Sequence, residues 1–311
     1  MACSQLIRDR NKDPGTAPYR PPTSSRRLAG IPATKALNTP VAGAATPRKG
    51  RRLNRSGERG ETKLSLIQSG LLDDAGILHG FGTTEMEGVE LPCPIFTLRQ
   101  VHGNRIVVIA GQTDRAPGTM GPDPISNYGV GAKLSLRAVP EQPDRFTEGD
   151  ALISTMPGTF VGVRTADCLP VLLADPQSGM VAAVHCGWRG LALGIAGETV
   201  RIITSLSGNP SSEFLAALGP AIGPCCYEVG LEVMEALAPL PGSQSAFLRR
   251  EERLFMDLAA SVRAQLLAAG IPGEGMEVLG NCTSCDERNF FSFRARKDAG
   301  RMISFIGATS G

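Results

Sequence analysis

The stretch that decides the fold is residues 148–190, which reads EGDALIS at 148–154, TFVGVRTADCLPVLLAD at 159–175 and VAAVHCGWRG at 181–190. In each piece a short apolar run stops at a residue that carries chemistry. The runs 159–163, 171–173 and 181–184 are rich in β-branched, aliphatic or aromatic residues, are bounded by Gly, Pro or Asp, and are too short for helices, so they predict strands. Cys168 and His185 then fall at or just beyond strand ends, in one sheet or two neighbouring ones. A thiol and an imidazole so placed can share a metal, act as nucleophile and base, or simply fill space.

Working outward, the strand candidate 95–98 runs into Arg99, Gln100, Val101, His102 and Gly103, and a second strand leaves at 105–109, which puts His102 in the bend between them. Residues 111–145 are rich in Gly, Pro, Asp and Asn and read as a long loop, a class that is commonly functional. Beyond Gly190 the period changes. Ala192, Ile195, Thr199, Ile202 and Leu206 share one helical face that ends at Gly208, and Phe255, Leu258, Val262 and Leu266 share another that stops at Gly270. Further strands are expected at 214–218, 276–279, 290–293 and 302–306. The pattern predicts an α/β fold of the mixed α+β kind, a single domain of mixed β-sheets flanked by helices.

The 311 residues are 42% apolar, enough for a sizeable core. Charge is unevenly spread: residues 1–60 hold 13 Lys or Arg against 3 Asp or Glu, leaving 19 basic and 27 acidic residues in the remainder. This basic head has almost no hydrophobic period and is expected to be a disordered tail over 1–61, with the folded domain over 62–311. Its charge predicts at most weak contact with nucleic acid. There is no secretory core and no run of about 18 apolar residues, so a cytoplasmic protein without membrane contact is expected. In that compartment the eight cysteines are expected to stay reduced, which turns attention to metal binding and catalysis.

Only three histidines exist, His79, His102 and His185. His102, Cys168 and His185 offer two imidazoles and a thiolate, a set that suits a catalytic zinc with a fourth position open, although their spacing carries no local motif. A nucleophilic Cys168 with His185 as base needs nearby positive charge, which Arg164 and Arg189 can supply; the same arginines can instead hold a phosphate or carboxylate. Asp150 and Asp167 are candidates for acid or base work, or caps of turns after strands. Trp188 is the single tryptophan and either stacks on a ring or walls a pocket. Cys225, Cys226, Cys282 and Cys285 can in principle build a structural zinc site. Adjacent cysteines seldom share one ion, however, and a lone CxxC is a weak signal, so buried inert thiols are expected, with Cys226 or Cys285 near the cleft.

With these residues in view, the chain resembles the YfiH family, also called the laccase-domain or multicopper polyphenol oxidase family, some members of which are described as purine nucleoside phosphorylases or peptidoglycan editing factors. The resemblance spans roughly residues 65–307 and rests on HGF (79–81), RQVHGNRI (99–106), EGDALIS, VRTADCLPVLL (163–173), AVHCGWRG (183–190), LGPAIGPCCYEVG (218–230) and NCTSCDERNFFSFR (281–294). It implies one catalytic zinc held by His102, Cys168 and His185. It further implies phosphorolysis of adenosine, inosine, guanosine and S-methyl-5′-thioadenosine, with adenosine deamination as a second activity. Purine nucleosides and phosphate are then the partners, Asp150, Asp167 and Arg189 the catalytic candidates, and Gln100, Arg164 and Trp188 the substrate- or phosphate-binding ones. Two positions depart from the family pattern. Cys186 stands where alanine is common and is expected to add a thiol near the metal, and Thr84 stands where an arginine is common, which is expected to alter activity. The rival readings are a copper polyphenol oxidase, a cysteine hydrolase that edits a peptidoglycan precursor, and a binding protein without catalysis.

Overall fold

A computed structural model of the chain describes residues 66–86, 94–110, 134–138 and 147–307, with the backbone alone over 134–138. The expected basic tail and most of the 111–145 stretch lie outside these residues. In chain order the elements are β1 (Leu66–Ile67), α1 (Gly70–Asp74), β2 (Leu78–Gly82), β3 (Ile95–Phe96), β4 (Ile106–Ala110), β5 (Leu134–Ala138), β6 (Ala151–Ser154) and β7 (Phe160–Thr165). Then come β8 (Leu169–Ala174), β9 (Val181–Cys186), α2 (Trp188–Ala192), α3 (Ile195–Ser207), β10 (Leu215–Leu218), β11 (Glu228–Val229) and α4 (Leu231–Leu237). The chain closes with β12 (Phe247–Arg250), β13 (Arg253–Met256), α5 (Leu258–Ala268), β14 (Met276–Val278), α6 (Phe293–Arg296) and β15 (Met302–Gly307). No helix among the described residues is long and apolar enough to cross a membrane.

The strands form a seven-stranded sheet in the order β14-β10-β8-β9-β6-β4-β5, a five-stranded sheet β1-β2-β15-β7-β3 and a small sheet β11-β13-β12. Pairing is mixed: β4 runs parallel to β5 and β6, while β8 and β9 are antiparallel neighbours. The large sheet is covered on both faces, and side-chain alternation shows how. Val171, Leu173, Ala182 and Val184 face one core shared with α3 and α5, through Val200, Ile203, Val262 and Leu266. Their neighbours Leu172, Ala174, Val181 and Ala183 face a second core shared with the five-stranded sheet, through Phe81, Val161, Val163 and Ile306. Burial on both faces explains why these strands read as unbroken apolar runs rather than alternating ones. Truncating a fully enclosed side chain such as Leu172 to alanine would cost about 2–5 kcal/mol.

Helix boundaries follow local chemistry. α3 lies between Gly194 and Gly208, both with φ of 74°, a conformation glycine enters without a Cβ clash. α5 starts where the Asp257 carboxylate accepts a hydrogen bond from the Ala260 amide at 2.9 Å.

Three expectations need correction. The 111–145 stretch includes a strand, β5, which extends the large sheet at its edge. Phe255 belongs to β13 and not to the following helix, because the Asp257 cap separates them. Residues 290–293 are not a strand: 290–292 run without regular structure into α6, which Phe293 opens and where the Ser292 hydroxyl accepts from the Ala295 amide at 3.2 Å.

Candidate metal centre

Cys168 immediately precedes β8 and His185 lies near the end of β9, with Pro170 opposite His185 in the ladder. His102 sits in the bend before β4 with φ of 58°, and Asp167, beside Cys168, has φ of 89°. Such left-handed backbone is uncommon outside glycine, and here it occurs at two positions of one site. Ligand atoms of His102, Cys168 and His185 all lie within 4.8 Å of one another, and the two imidazoles meet edge to face with centroids 4.8 Å apart. A Cβ on Gly187 would come 3.1 Å from Cys168 Sγ, 3.2 Å from His102 Cδ2 and 3.9 Å from His185 Cε1, so only a glycine leaves the three groups this space.

Asp150 organises the trio from behind. Its carboxylate is 0% exposed and accepts backbone hydrogen bonds from Val101 at 3.2 Å, His102 at 2.9 Å and Gly103 at 2.8 Å. It also lies 2.9 Å from His185 Nδ1. Because a carboxylate only accepts, Nδ1 carries the proton and Nε2 is left for a ligand, the arrangement by which a carboxylate orients a metal-binding histidine. The general-acid expectation for Asp150 therefore gives way to a positioning role. Burial opposes ionisation of Cys168, but hydrogen bonds from His102 and His185 outweigh it and bring the thiol to about 6. Burial likewise disfavours a charged His185, yet the Asp150 and Cys168 contacts prevail and raise it to about 9. The Asp150 contact places a proton on His185 Nδ1, and a cation entering the trio would compete with protons for Nε2 and for the Cys168 sulfur.

The trio opens on a cleft of about 610 Å³, within the range of small-molecule sites. Of the expected binding residues, Gln100, Arg164, Trp188 and Arg189 all line it. Gln100 spends its amide on the strand beside it, donating to Arg164 O and accepting from Arg164 N, both at 2.8 Å, so it fixes the position of Arg164. The Arg189 guanidinium lies 4.5 Å from the Trp188 ring, and Trp188 packs its inner part on the helix-side core, which makes it a wall of the cleft. Asp167 accepts from Thr283 Oγ1 at 2.7 Å and from the Arg294 amide at 2.6 Å, so its carboxylate ties together the loops that flank the cleft.

Sequence reasoning missed Tyr227, Phe293, Arg294, Lys297 and Arg301, which also line the cleft. Phe293 is 51% exposed, with Lys297 Nζ 4.8 Å and the Arg301 guanidinium 5.6 Å from its ring. The Arg294 guanidinium lies 5.0 Å from the Tyr227 ring. The run FRARKDAGR at 293–301 is dense in cations around an aromatic residue, and that density was the available signal.

Neither of the two positions that depart from the family pattern lines the cleft. Cys186 points opposite to His185 into the helix-side core, fully buried, and burial pushes its thiol far up. It adds no thiol to the trio. Thr84 donates to Arg288 O at 3.0 Å and does not line the cleft. His79 is sealed in the fold, its Nε2 accepting from the Ser69 amide at 2.8 Å and its Nδ1 donating to Ile77 O at 2.9 Å. The other four cysteines among the described residues are not the buried inert thiols expected: Cys225 and Cys285 are exposed, and Cys226 and Cys282 half-buried.

Purine nucleoside phosphorylase YlmD of Geobacillus stearothermophilus is 39% identical over 186 residues, 58% of this chain and 65% of the relative, so the match spans just under two thirds of that protein. Purine nucleoside phosphorylase YfiH of Escherichia coli K12 is 39% identical over 61% of this chain and 76% of its own. Adenosine deaminase RL5, from an unknown prokaryotic organism, is 36% identical over 50% of this chain and 60% of its own. The crystal structure of the Geobacillus YlmD superposes with a TM-score of 0.62 at 29% identity, covering 81% of this chain and 98% of that one. Residues 83–309 match the family model described as multi-copper polyphenol oxidoreductase laccase, and the chain belongs to that family, the YfiH and YlmD proteins among its relatives.

Proposed function

We propose that this protein is a zinc-dependent purine nucleoside phosphorylase acting on adenosine, inosine, guanosine and S-methyl-5′-thioadenosine, with adenosine deamination as a second activity. The observation that carries the reading is the convergence of His102, Cys168 and His185 around Gly187 in a cleft rimmed by cations. Relatives named for one activity or the other support it, two as purine nucleoside phosphorylases and one as an adenosine deaminase. Two imidazoles and one thiolate are the donors zinc uses in a catalytic site that keeps a position open. Bound there, zinc would supply Lewis-acid polarisation of an oxygen atom.

The chain's own groups account for the rest of the reaction. Asp150 keeps His185 in the tautomer whose Nε2 is free. Arg164, Arg189 and Lys297 line the cleft as cations for phosphate. Phe293 offers an exposed ring for a purine. Phosphorolysis breaks the glycosidic bond while phosphate oxygen bonds to the anomeric carbon, and the departing base takes up a proton. Tyr227 lines the cleft, and its phenol, pushed by burial to about 12, stays a hydrogen-bond donor at neutral pH, suited to the base nitrogen.

A laccase-type oxidase is less well supported. Mononuclear blue copper uses a similar ligand set, but a multi-copper oxidase needs a further group of histidines. Three exist in the whole chain, and His79 is sealed away. The test is to quantify metal in the purified protein and incubate it with inosine, with and without phosphate. Hypoxanthine and ribose 1-phosphate are expected only with phosphate; no product from zinc-loaded protein overturns the reading.

A further inference from the structure

The motifs GPCCYEVG and NCTSCDE lie in two loops, one after β10 and one after β14, that the fold laces together. Ala221 forms a parallel bridge with Cys282, the Ala221 amide donates to Asn281 O at 3.1 Å, and the Thr283 amide donates to Ala221 O at 3.0 Å. Between them the turn after Gly223 closes with hydrogen bonds of 2.9 Å from the Cys226 and Tyr227 amides to Gly223 O. That turn presents two adjacent thiols to one point. Cys285 Sγ lies 3.5 Å from Cys225 Sγ and 3.3 Å from Cys226 Sγ, and all four sulfurs, Cys282 included, lie within 4.8 Å of one another.

We propose that Cys225, Cys226, Cys282 and Cys285 form a second metal site, a closed four-thiolate centre for one zinc ion, separate in ligands and in role from the cleft. A tetrahedral ion with sulfur at about 2.3 Å would set its thiolates about 3.8 Å apart, close to the separations found here. No disulfide joins these cysteines, and two of the four are exposed, so neither a covalent bond nor burial accounts for their meeting. Four soft donors and no oxygen or imidazole favour zinc over hard cations. The sulfurs are too close together to span a polynuclear iron–sulfur cluster, whose ligands stand on different irons.

The surroundings fit a bound thiolate group. The Gly223 amide donates to Cys282 Sγ at 3.2 Å, and a Cβ on Gly223 would come 3.2 Å from Cys225 Sγ and 3.4 Å from Cys282 Sγ, so a side chain there would crowd the sulfurs. Four thiolates around a divalent ion leave two negative charges. Cations reach both loops: Arg250 Nη1 lies 3.4 Å from Cys225 O, and Arg296 lies 3.4 Å from Ser284 O and 3.5 Å from Thr283 O. Thiol protons would pass to solvent as the ion binds.

Such a centre would serve the cleft without taking part in its chemistry. One loop carries Ile222 and Tyr227 to the cleft wall, and the other carries Thr283, which donates to Asp167 beside Cys168. An ion between the loops would pin both at once.

The test counts zinc in the full chain under reducing conditions. The Cys282→Ser/Cys285→Ser variant is expected to lose one equivalent relative to wild type, whereas His102→Ala/His185→Ala keeps that equivalent, with an all-sulfur shell in X-ray absorption. A histidine variant that binds no zinc, or whose ion has nitrogen or oxygen neighbours, overturns the proposal. So does non-reducing mass spectrometry that finds disulfides among the four cysteines. Should the serine variant not fold, the histidine variant decides alone, and cadmium-113 spectra of the wild-type chain test for a four-thiolate resonance without any substitution. Failure of the nucleoside assay would leave this count unchanged, so the two readings fail separately.

Discussion

Nδ1 of His185 lies 2.9 Å from Oδ1 of Asp150, and the two side chains are 3% and 0% exposed. The carboxylate also accepts amides on both sides of His102, so one group sets the ring of one imidazole and the backbone of the other. Asp150→Asn keeps the shape but exchanges an acceptor for a donor. Metal affinity at the trio is expected to fall about 10–100-fold, the usual effect of losing such a partner. Chelator competition measures it, and unchanged affinity would show that Asp150 does not position His185.

Gly187→Ala tests the space between the three groups. Gly187 has φ of −83°, so alanine fits the backbone, yet the new methyl would sit 3.1 Å from Cys168 Sγ and 3.2 Å from His102 Cδ2. Folding is expected to survive, by circular dichroism and thermal melting, while the metal content of the trio drops. Full metal occupancy with wild-type kinetics would mean that the groups can relax around the methyl.

Phe293→Ala tests the exposed ring. Stacking on a base is worth about 1–3 kcal/mol in nucleic-acid complexes, so KM for a nucleoside is expected to rise about 5–150-fold while metal content stays constant. Because the ring is 51% exposed, stability should change little. Unaltered KM would remove Phe293 from the substrate site.

Asp175 supplies a pH signature unrelated to the metal. Burial would raise its carboxyl, but hydrogen bonds from Ser178, Asn209 and Ser207 outweigh that and hold it below the ordinary carboxylate value. Its folded form is therefore favoured most when ionised. The contribution is complete above the unfolded value of about 3.9 and disappears as pH falls through the lower folded value. Asp175→Asn is expected to destabilise by about 1–3 kcal/mol at pH 7, with the gap to wild type closing in acid. Denaturant titrations at several pH values check it; a gap independent of pH would contradict the linkage.

Much of this site was legible in the sequence because its pieces are short apolar runs ending in rare residues. The runs around 161, 172 and 183 are strands, and His102, Cys168 and His185 do meet. What stayed hidden depends on chain returns. Nothing near Phe293 says that it faces residues more than 100 positions earlier, and the cation-rich run around it reads equally well as solvated surface. The four cysteines read as inert because neither motif reveals that Ala221 will pair with Cys282. β5 was obscured by Gly- and Pro-rich neighbours, and Phe255 matched the helical period of α5 although Asp257 caps the helix after it. Cys186 was misplaced because it stands next to His185 in sequence, whereas successive residues of a strand face opposite sides and the thiol enters the helix-side core.

That alternation has a further consequence. In β9 an imidazole and a thiol are consecutive, one turned to the cleft and the other to the hydrocarbon interior. A slip of one residue against β8 would swap the two cores' side-chain sets and would present sulfur where nitrogen now stands. Ligand type at this corner is thus a matter of odd or even position, guarded by every aliphatic group along the hairpin, so the enclosed hydrocarbon acts as a proofreader for the chemistry.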